Sequence, residues 1–234
     1  MLKCLCIIPA RGLSKRIPKK NIKEFNGRPI IAYAIEKAHN TKLFQDIIVS
    51  TDDIEIKQCA EKYGAEVPFL RTSESANDTA TMADVMNQVL LNLTGSGKVY
   101  DYACCLLATS VLVKMESIIA GYNAIKNGEN DSIVSISKFN YPIQRALIKK
   151  EGYIEFANPE HRNSRSQDLL EHYHDAGQWY WFKLENGLIK NYWPNNSGFI
   201  ELNEWECQDI DTFEDWKMAE VKYKYLKNNE KDCN

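Results

Sequence analysis

Leu2-Lys-Cys-Leu-Cys-Ile-Ile-Pro9 runs directly into Ala10-Arg-Gly-Leu-Ser-Lys-Arg-Ile-Pro-Lys-Lys-Asn-Ile-Lys23. The first part is a short apolar run, the pattern of a strand covered on both faces, as in a parallel sheet. The second is a polar loop holding Arg11, Lys15, Arg16, Lys19, Lys20 and Lys23 and no acid, in a chain whose formal net charge is −3. Like charges gathered this way repel one another unless an anion sits among them. In open α/β sheets ligands bind beyond the carboxyl ends of the strands, where this loop must lie. It is neither a G-x-x-x-x-G-K-[ST] phosphate loop nor a G-x-G-x-x-G turn. Many side-chain cations around one Gly suit a polyphosphate instead. A merely solvated basic loop is the competing reading, and the position directly after the first strand weighs against it.

Outward from that stretch, apolar runs alternate with amphipathic segments. Strands are expected at Leu2–Pro9, Asp46–Ser50, Glu66–Leu70, Tyr102–Ala108 and Ser132–Ser137. Helices are expected at Pro29–His39, from the Asp53 cap to about Tyr63, at Thr81–Leu93 and at Lys114–Lys126. This order predicts an α/β fold with a mostly parallel central sheet and helices on both faces. The pattern breaks over 140–175, which is polar, includes strand-like Ala146–Lys149 and Tyr153–Phe156, and reads as an excursion within one domain spanning 1–234. Strand character returns at Gly177–Leu184 and Ser197–Leu202. A last helix carries Phe213, Trp216, Ala219, Tyr223 and Leu226 on its apolar face, opened by Thr212 with Asp215 three residues on.

With 234 residues, 44% hydrophobic and 26% charged, the chain is long enough for a core that needs no staple. The acidic balance excludes a dedicated nucleic-acid binder. Seven cysteines without metal-ligand spacing, four of them inside apolar runs, read as buried small hydrophobes. The opening apolar run is too short for a signal peptide and no stretch is long enough to span a membrane, so the expected location is cytoplasmic.

Near the end stands Cys207-Gln-Asp-Ile-Asp-Thr212. If it is extended, Asp209 and Asp211 share one face and Ile210 points to the core. Paired carboxylates that also meet substrate phosphates suit Mg²⁺; capping of the final helix is the other reading. Thr51-Asp52-Asp53 is a further acidic cluster whose simplest reading is also helix capping. His172-Tyr-His174 lacks a third ligand of evident spacing, and no G-x-S-x-G elbow exists for a hydrolase.

Together these residues resemble the acylneuraminate cytidylyltransferase family, which includes CMP-sialic acid synthetases. Ile8–Asn21 matches the family's N-terminal signature; Ile48–Asp52, Arg71 to Ala80 and Gln208–Thr212 follow in order, so the resemblance covers nearly the whole chain. Tyr141–Arg145 and His174–Trp181 are similar to the pseudaminic acid branch. Where sialic acid synthetases carry a Gln-Pro-Thr-Ser-Pro-Leu-Arg-like segment, this chain has Ala108-Thr-Ser-Val-Leu-Val113, with neither Gln nor Arg. The resemblance implies a Rossmann-like nucleotidyltransferase fold and a homodimer built through 140–175. It implies nucleotide contacts from Ala10, Arg11, Gly12, Ser14, Lys15, Lys20, Asn21, Arg71, Asp78, Thr79 and Ala80, and Mg²⁺ on Asp209 and Asp211. Sugar contacts would come from Thr109, Ser110, Gln144, Arg145, His174, Gln178 and Tyr180, with Arg11, Lys20 and Asp211 carrying the chemistry. The implied reaction joins CTP to a nonulosonic acid, pseudaminic acid first, with the N-acetylneuraminic, legionaminic and 3-deoxy-manno-octulosonic acids as alternatives. A catalytically silent nucleotide-binding scaffold of the same fold is the rival from another class.

Overall fold

The structure is a computed structural model that describes residues 2–71, 81–190 and 192–232. Asp78, Thr79 and Ala80 lie outside the described residues. The elements in chain order are β1 (Cys4–Pro9), β2 (Glu24–Phe25), β3 (Arg28–Pro29), α1 (Ile30–Thr41), β4 (Asp46–Ser50) and α2 (Ile54–Lys62). They continue with α3 (Met82–Gly95), β5 (Tyr102–Leu106), α4 (Met115–Asn127), β6 (Ser132–Lys138), β7 (Leu147–Lys150) and β8 (Tyr153–Phe156). The last are β9 (Tyr173–Lys183), β10 (Ser197–Glu201) and α5 (Phe213–Asp232).

Six strands form the main sheet in the order β10-β6-β9-β5-β1-β4. The pairs β10–β6, β5–β1 and β1–β4 are parallel. β9 alone runs against both neighbours. Alternation along β1 distributes the core: Cys4, Cys6 and Ile8 face α1, α2 and α4, while Leu5 and Ile7 face α3. The buried cysteines Cys4, Cys6, Cys104 and Cys105 are free thiols within these layers, as small hydrophobes would be. After β1 the chain moves outward to β4, then returns across β1 to β5. The carboxyl end of β1 is therefore a topological switch point, the usual place for a ligand crevice in such sheets.

Two local expectations need correction. Glu66–Leu70 forms no strand; only Glu66 bridges to Ile48, because Pro68 has no N–H with which to extend the ladder. Phe213 is 44% exposed, unlike buried Trp216 and Ala219, since it opens α5 and lies beneath Lys23 Nζ at 5.6 Å. The cap expected at Asp53 is present, and α3 has one that the sequence reading did not name. Asp53 accepts from the backbone N–H groups of Glu55 and Ile56 at the start of α2, and Thr81 with Asp84 closes a capping box on α3. Residues 147–156 form an antiparallel hairpin of β7 and β8, set apart from the main sheet. Among the described residues no helix is long and apolar enough to cross a membrane.

Candidate active site

The loop after β1 is fastened at both ends. Ala10 N–H donates to Ser50 O at 2.9 Å, and Gly12 N–H donates to Asp52 Oδ1 at 2.8 Å. A Cβ on Gly12 would stand 2.8 Å from Asp53, so this approach requires glycine. Farther along, Ile17 is fully buried in a cluster with Phe25, Ile210 and Trp216. Asn21, itself buried, returns Nδ2–H to Arg11 O at 2.9 Å.

The Ile17 and Ile210 anchors decide where the charges go. Each buried Ile side chain contributes about 1.5–3 kcal/mol. Arg16 Nη2 lies 2.7 Å from Asp211 Oδ2, but both side chains are well exposed, and such pairs are typically worth only about 0–1 kcal/mol. Apolar burial thus places the loop, and the ion pairs follow. Lys20 is the more sheltered cation, donating to Ile210 O at 2.5 Å and lying 3.4 Å from Asp211 Oδ1. Arg11, Ser14, Lys15, Arg16, Lys20, Asn21 and Asp211 line one cavity of about 250 Å³. The other two cations of the run turn elsewhere, Lys19 to Glu55 at 2.7 Å and Lys23 over Phe213 and Trp216.

Asp209 flanks Asp211 across buried Ile210. Its carboxyl is pushed up, first by partial desolvation and then by the charge of Asp211; Lys20 opposes the shift, and Asp215 and Asp175 add to it. Gly177, at φ 61°, brings its Cβ direction to 3.8 Å from Asp209 Cγ. Among the described residues no group of three or more His, Cys, Asp or Glu converges as a closed metal cage. Two carboxylates of this kind make an open oxygen site that would be completed by water and phosphate.

Arg71 closes the far side. Its side chain is 5% exposed, and Nη2 stands 3.8 Å from Asp52 Oδ1. Among the described residues Nε and Nη2 have no hydrogen-bond partner. Burial pulls its guanidinium below the usual range, with Asp52 opposing and Arg11 reinforcing the shift.

The residues expected to meet the sugar divide into two groups. Ser110, Gln178 and Tyr180 are buried, and Thr109 is nearly so. Ser110 Oγ donates to Gln178 O at 2.7 Å, Gln178 Nε2 donates to Ala176 O at 2.9 Å, and Tyr180 Oη donates to Asp175 Oδ2 at 2.6 Å. They shape the start of β9 from beneath. Gln144 and Arg145 bond within the excursion, to Leu170, His172 and Ser166. His174 is exposed, 4.9 Å from the Phe139 ring.

A family model for cytidylyltransferases matches residues 5–189, from β1 through the far end of β9. The chain belongs to the cytidylyltransferase family. It is 38% identical to the pseudaminic acid cytidylyltransferase of Campylobacter jejuni subsp. jejuni serotype O:2, over 95% of this chain and 97% of that one. A CMP-N,N'-diacetyllegionaminic acid synthase of the same organism is 48% identical over a shorter stretch, 39% of each chain. A solved CMP:2-keto-3-deoxy-manno-octonic acid synthetase complexed with CTP shares the fold at a TM-score of 0.69 and 16% identity, covering 97% of this chain and 99% of that one. The fold of this cytidylyltransferase is therefore the Rossmann-like nucleotidyltransferase fold that its sequence suggests. The sequence reading left Arg16 out of the candidate site residues, although it reaches Asp211. Its only signal was membership of the basic run.

Proposed function

We propose that this cytidylyltransferase transfers the cytidylyl group of CTP to pseudaminic acid, giving the CMP-sugar and pyrophosphate. The observation that carries the reading is the meeting of the cationic loop with Asp211 in one cavity. The near full-length likeness to a pseudaminic acid cytidylyltransferase supports pseudaminic acid as the acceptor. The sugar's anomeric hydroxyl oxygen attacks the α-phosphorus, the bond to the β-phosphate oxygen breaks, and pyrophosphate leaves as the hydroxyl gives up its proton. The obstacle is charge, so positioning and neutralisation supply most of the catalysis.

Arg11, Lys15, Arg16 and Lys20 draw in the triphosphate, with Ser14 and Asn21 at the cavity wall. Lys20 and Arg16 exchange part of their contact with Asp211 for phosphate oxygens. Ala10 and Gly12 bring backbone close to the phosphates, and Arg71 offers its N–H groups to the nucleoside end. Asp209 and Asp211 fit Mg²⁺: both are hard oxygen donors, and Asp209, raised first by burial and then by the charge of Asp211, is a carboxyl whose ionised form a divalent cation would favour. Bound there, Mg²⁺ would supply Lewis acidity toward phosphate and hydroxyl oxygens.

A second copy belongs to the same reading. The excursion exposes Leu147 and Ile154 on one face of its hairpin, Ile148 and Tyr153 on the other, and Tyr141 and Leu170 elsewhere in the segment, exposed apolar side chains of the kind that mark an interface. The homodimer would cover them and bring Gln144, Arg145 and His174 of the excursion to the sugar.

The test is pyrophosphate release from CTP and Mg²⁺ with pseudaminic, legionaminic and N-acetylneuraminic acids side by side. Release with pseudaminic acid alone is expected. Legionaminic acid is the second reading, favoured by the 48% identical stretch; release with it alone would keep the reaction and move the acceptor. No release with any acid would sink the reaction.

A further inference from the structure

Thr51-Asp52-Asp53 holds one more carboxylate than helix capping uses. Asp53 caps α2, with Oδ1 accepting from Glu55 N–H at 2.7 Å and Ile56 N–H at 3.2 Å. Asp52 serves the loop after β1 instead. Its Oδ1 accepts from Gly12 N–H at 2.8 Å and faces Arg71 Nη2 at 3.8 Å. One oxygen therefore serves the backbone of the phosphate-side loop and the guanidinium at the nucleoside side. Main-chain bonds reinforce this junction: Ala10 N–H to Ser50 O, and Arg71 N–H to Thr51 O at 2.8 Å.

Arg71 explains why that oxygen matters. A buried guanidinium requires a counter-charge, and its N–H groups require acceptors. Asp52 supplies charge, yet 3.8 Å is too long for a hydrogen bond, so Nε and Nη2 are left without acceptors among the described residues. Donors held charged, buried and unpaired are set for a ligand's oxygen or ring-nitrogen acceptors. Arg11 adds positive charge nearby, which makes the counter-charge more necessary.

We propose that Asp52 is a positioning residue for the nucleotide, holding Arg71 and the Gly12 turn in one fixed relation so that the two ends of CTP meet sites already set at the right separation. The inference rests on CTP as the substrate and adds a residue for which the reaction itself gives no role.

Asp52→Asn is the discriminating variant, because its amide oxygen still accepts from Gly12 N–H while the charge facing Arg71 is lost. CTP affinity is read by calorimetry without sugar, and KM is measured separately for CTP and for the sugar acid. The expected result is roughly a tenfold loss of CTP affinity, the scale of one hydrogen bond to a charged group, with sugar KM unchanged and a lowered thermal midpoint, because the buried guanidinium loses its counter-charge. In an Arg71→Ala background, Asp52→Asn should add nothing, since it acts through Arg71. Wild-type CTP affinity in Asp52→Asn would overturn the inference. So would an undiminished loss in the Arg71→Ala background, which would show that Asp52 acts elsewhere. A wild-type chain that binds no CTP would overturn the nucleotide reading itself, a result distinct from either.

Discussion

Lys20 Nζ donates to the carbonyl oxygen of Ile210 at 2.5 Å, across nearly the full length of the chain. The ammonium is thereby fixed chiefly by backbone, with Asp211 Oδ1 farther off at 3.4 Å and Asp211 Oδ2 paired to Arg16. Lys20→Ala should raise the KM for CTP about tenfold. Lys19→Ala should leave it unchanged, because Lys19 is already committed to Glu55. Equal effects from the two lysines would show that the loop acts as diffuse charge and not as a shaped cavity.

Asp211→Ala should lower kcat by roughly a hundredfold or more while CTP still binds, since charge on the reacting phosphate develops most fully in the transition state. Steady-state kinetics beside calorimetry separates the two effects. An unchanged kcat would remove Asp211 from the chemistry.

Ile17→Ala tests the claim that burial, not ion pairing, places the loop. The loss of a fully buried side chain should cost about 2–5 kcal/mol, measured by denaturant unfolding, and should weaken CTP binding as well. Arg16→Ala should change stability by less than about 1 kcal/mol. A reversal of that order would make the ion pair the anchor.

Parts of this arrangement were legible in sequence for identifiable reasons. Asp46–Ser50 was bounded correctly because its apolar run ends abruptly in acids, and the caps at Asp53 and Thr212 lie in strictly local patterns. The reversed direction of β9 was not legible, since a buried apolar strand carries no mark of polarity. Arg71 could be named only through resemblance: its burial and its opposition to Asp52 arise from tertiary packing between distant segments. Asp52 was taken with Asp53 as a cap because the two are adjacent in sequence, though Asp53 accepts from the first turn of α2 while Asp52 accepts from Gly12 N–H.

Asp215 links stability to pH. Its carboxylate accepts from the N–H groups of Asp211 and Thr212 and from Thr212 Oγ1. Desolvation acts to raise it, but these bonds and Arg16 prevail, so it lies below the usual carboxylate range. A depressed folded-state pKa gives stability that is present above the unfolded value near 4 and is lost as pH falls through the folded one. Asp215→Asn should therefore lower the thermal midpoint slightly at neutral pH and flatten its acid decline. A midpoint that still falls with the wild-type slope below pH 4 would assign that decline to other carboxylates.

The exposed hairpin gives a prediction about assembly. The paired substitution Ile148→Lys and Ile154→Lys should shift sedimentation from dimer to monomer without lowering the thermal midpoint of the protomer, because both side chains lie outside the core. Wild-type protein that sediments as a monomer would remove the interface from the hairpin.

β9 enters the sheet at the end where β6 leaves it, with Tyr173 paired to Lys138. Everything between those two residues is rooted at one point on the rim, while β1, β4 and β5 and their loops remain an uninterrupted parallel unit. The molecule is thus divided into a parallel-stranded body and an attachment hung from a single point of its rim. Lengthening, shortening or replacing 139–172 would break no rung of the parallel ladder of β1, β4 and β5. The hairpin can therefore vary in size and surface while the strands that carry the basic loop keep their register.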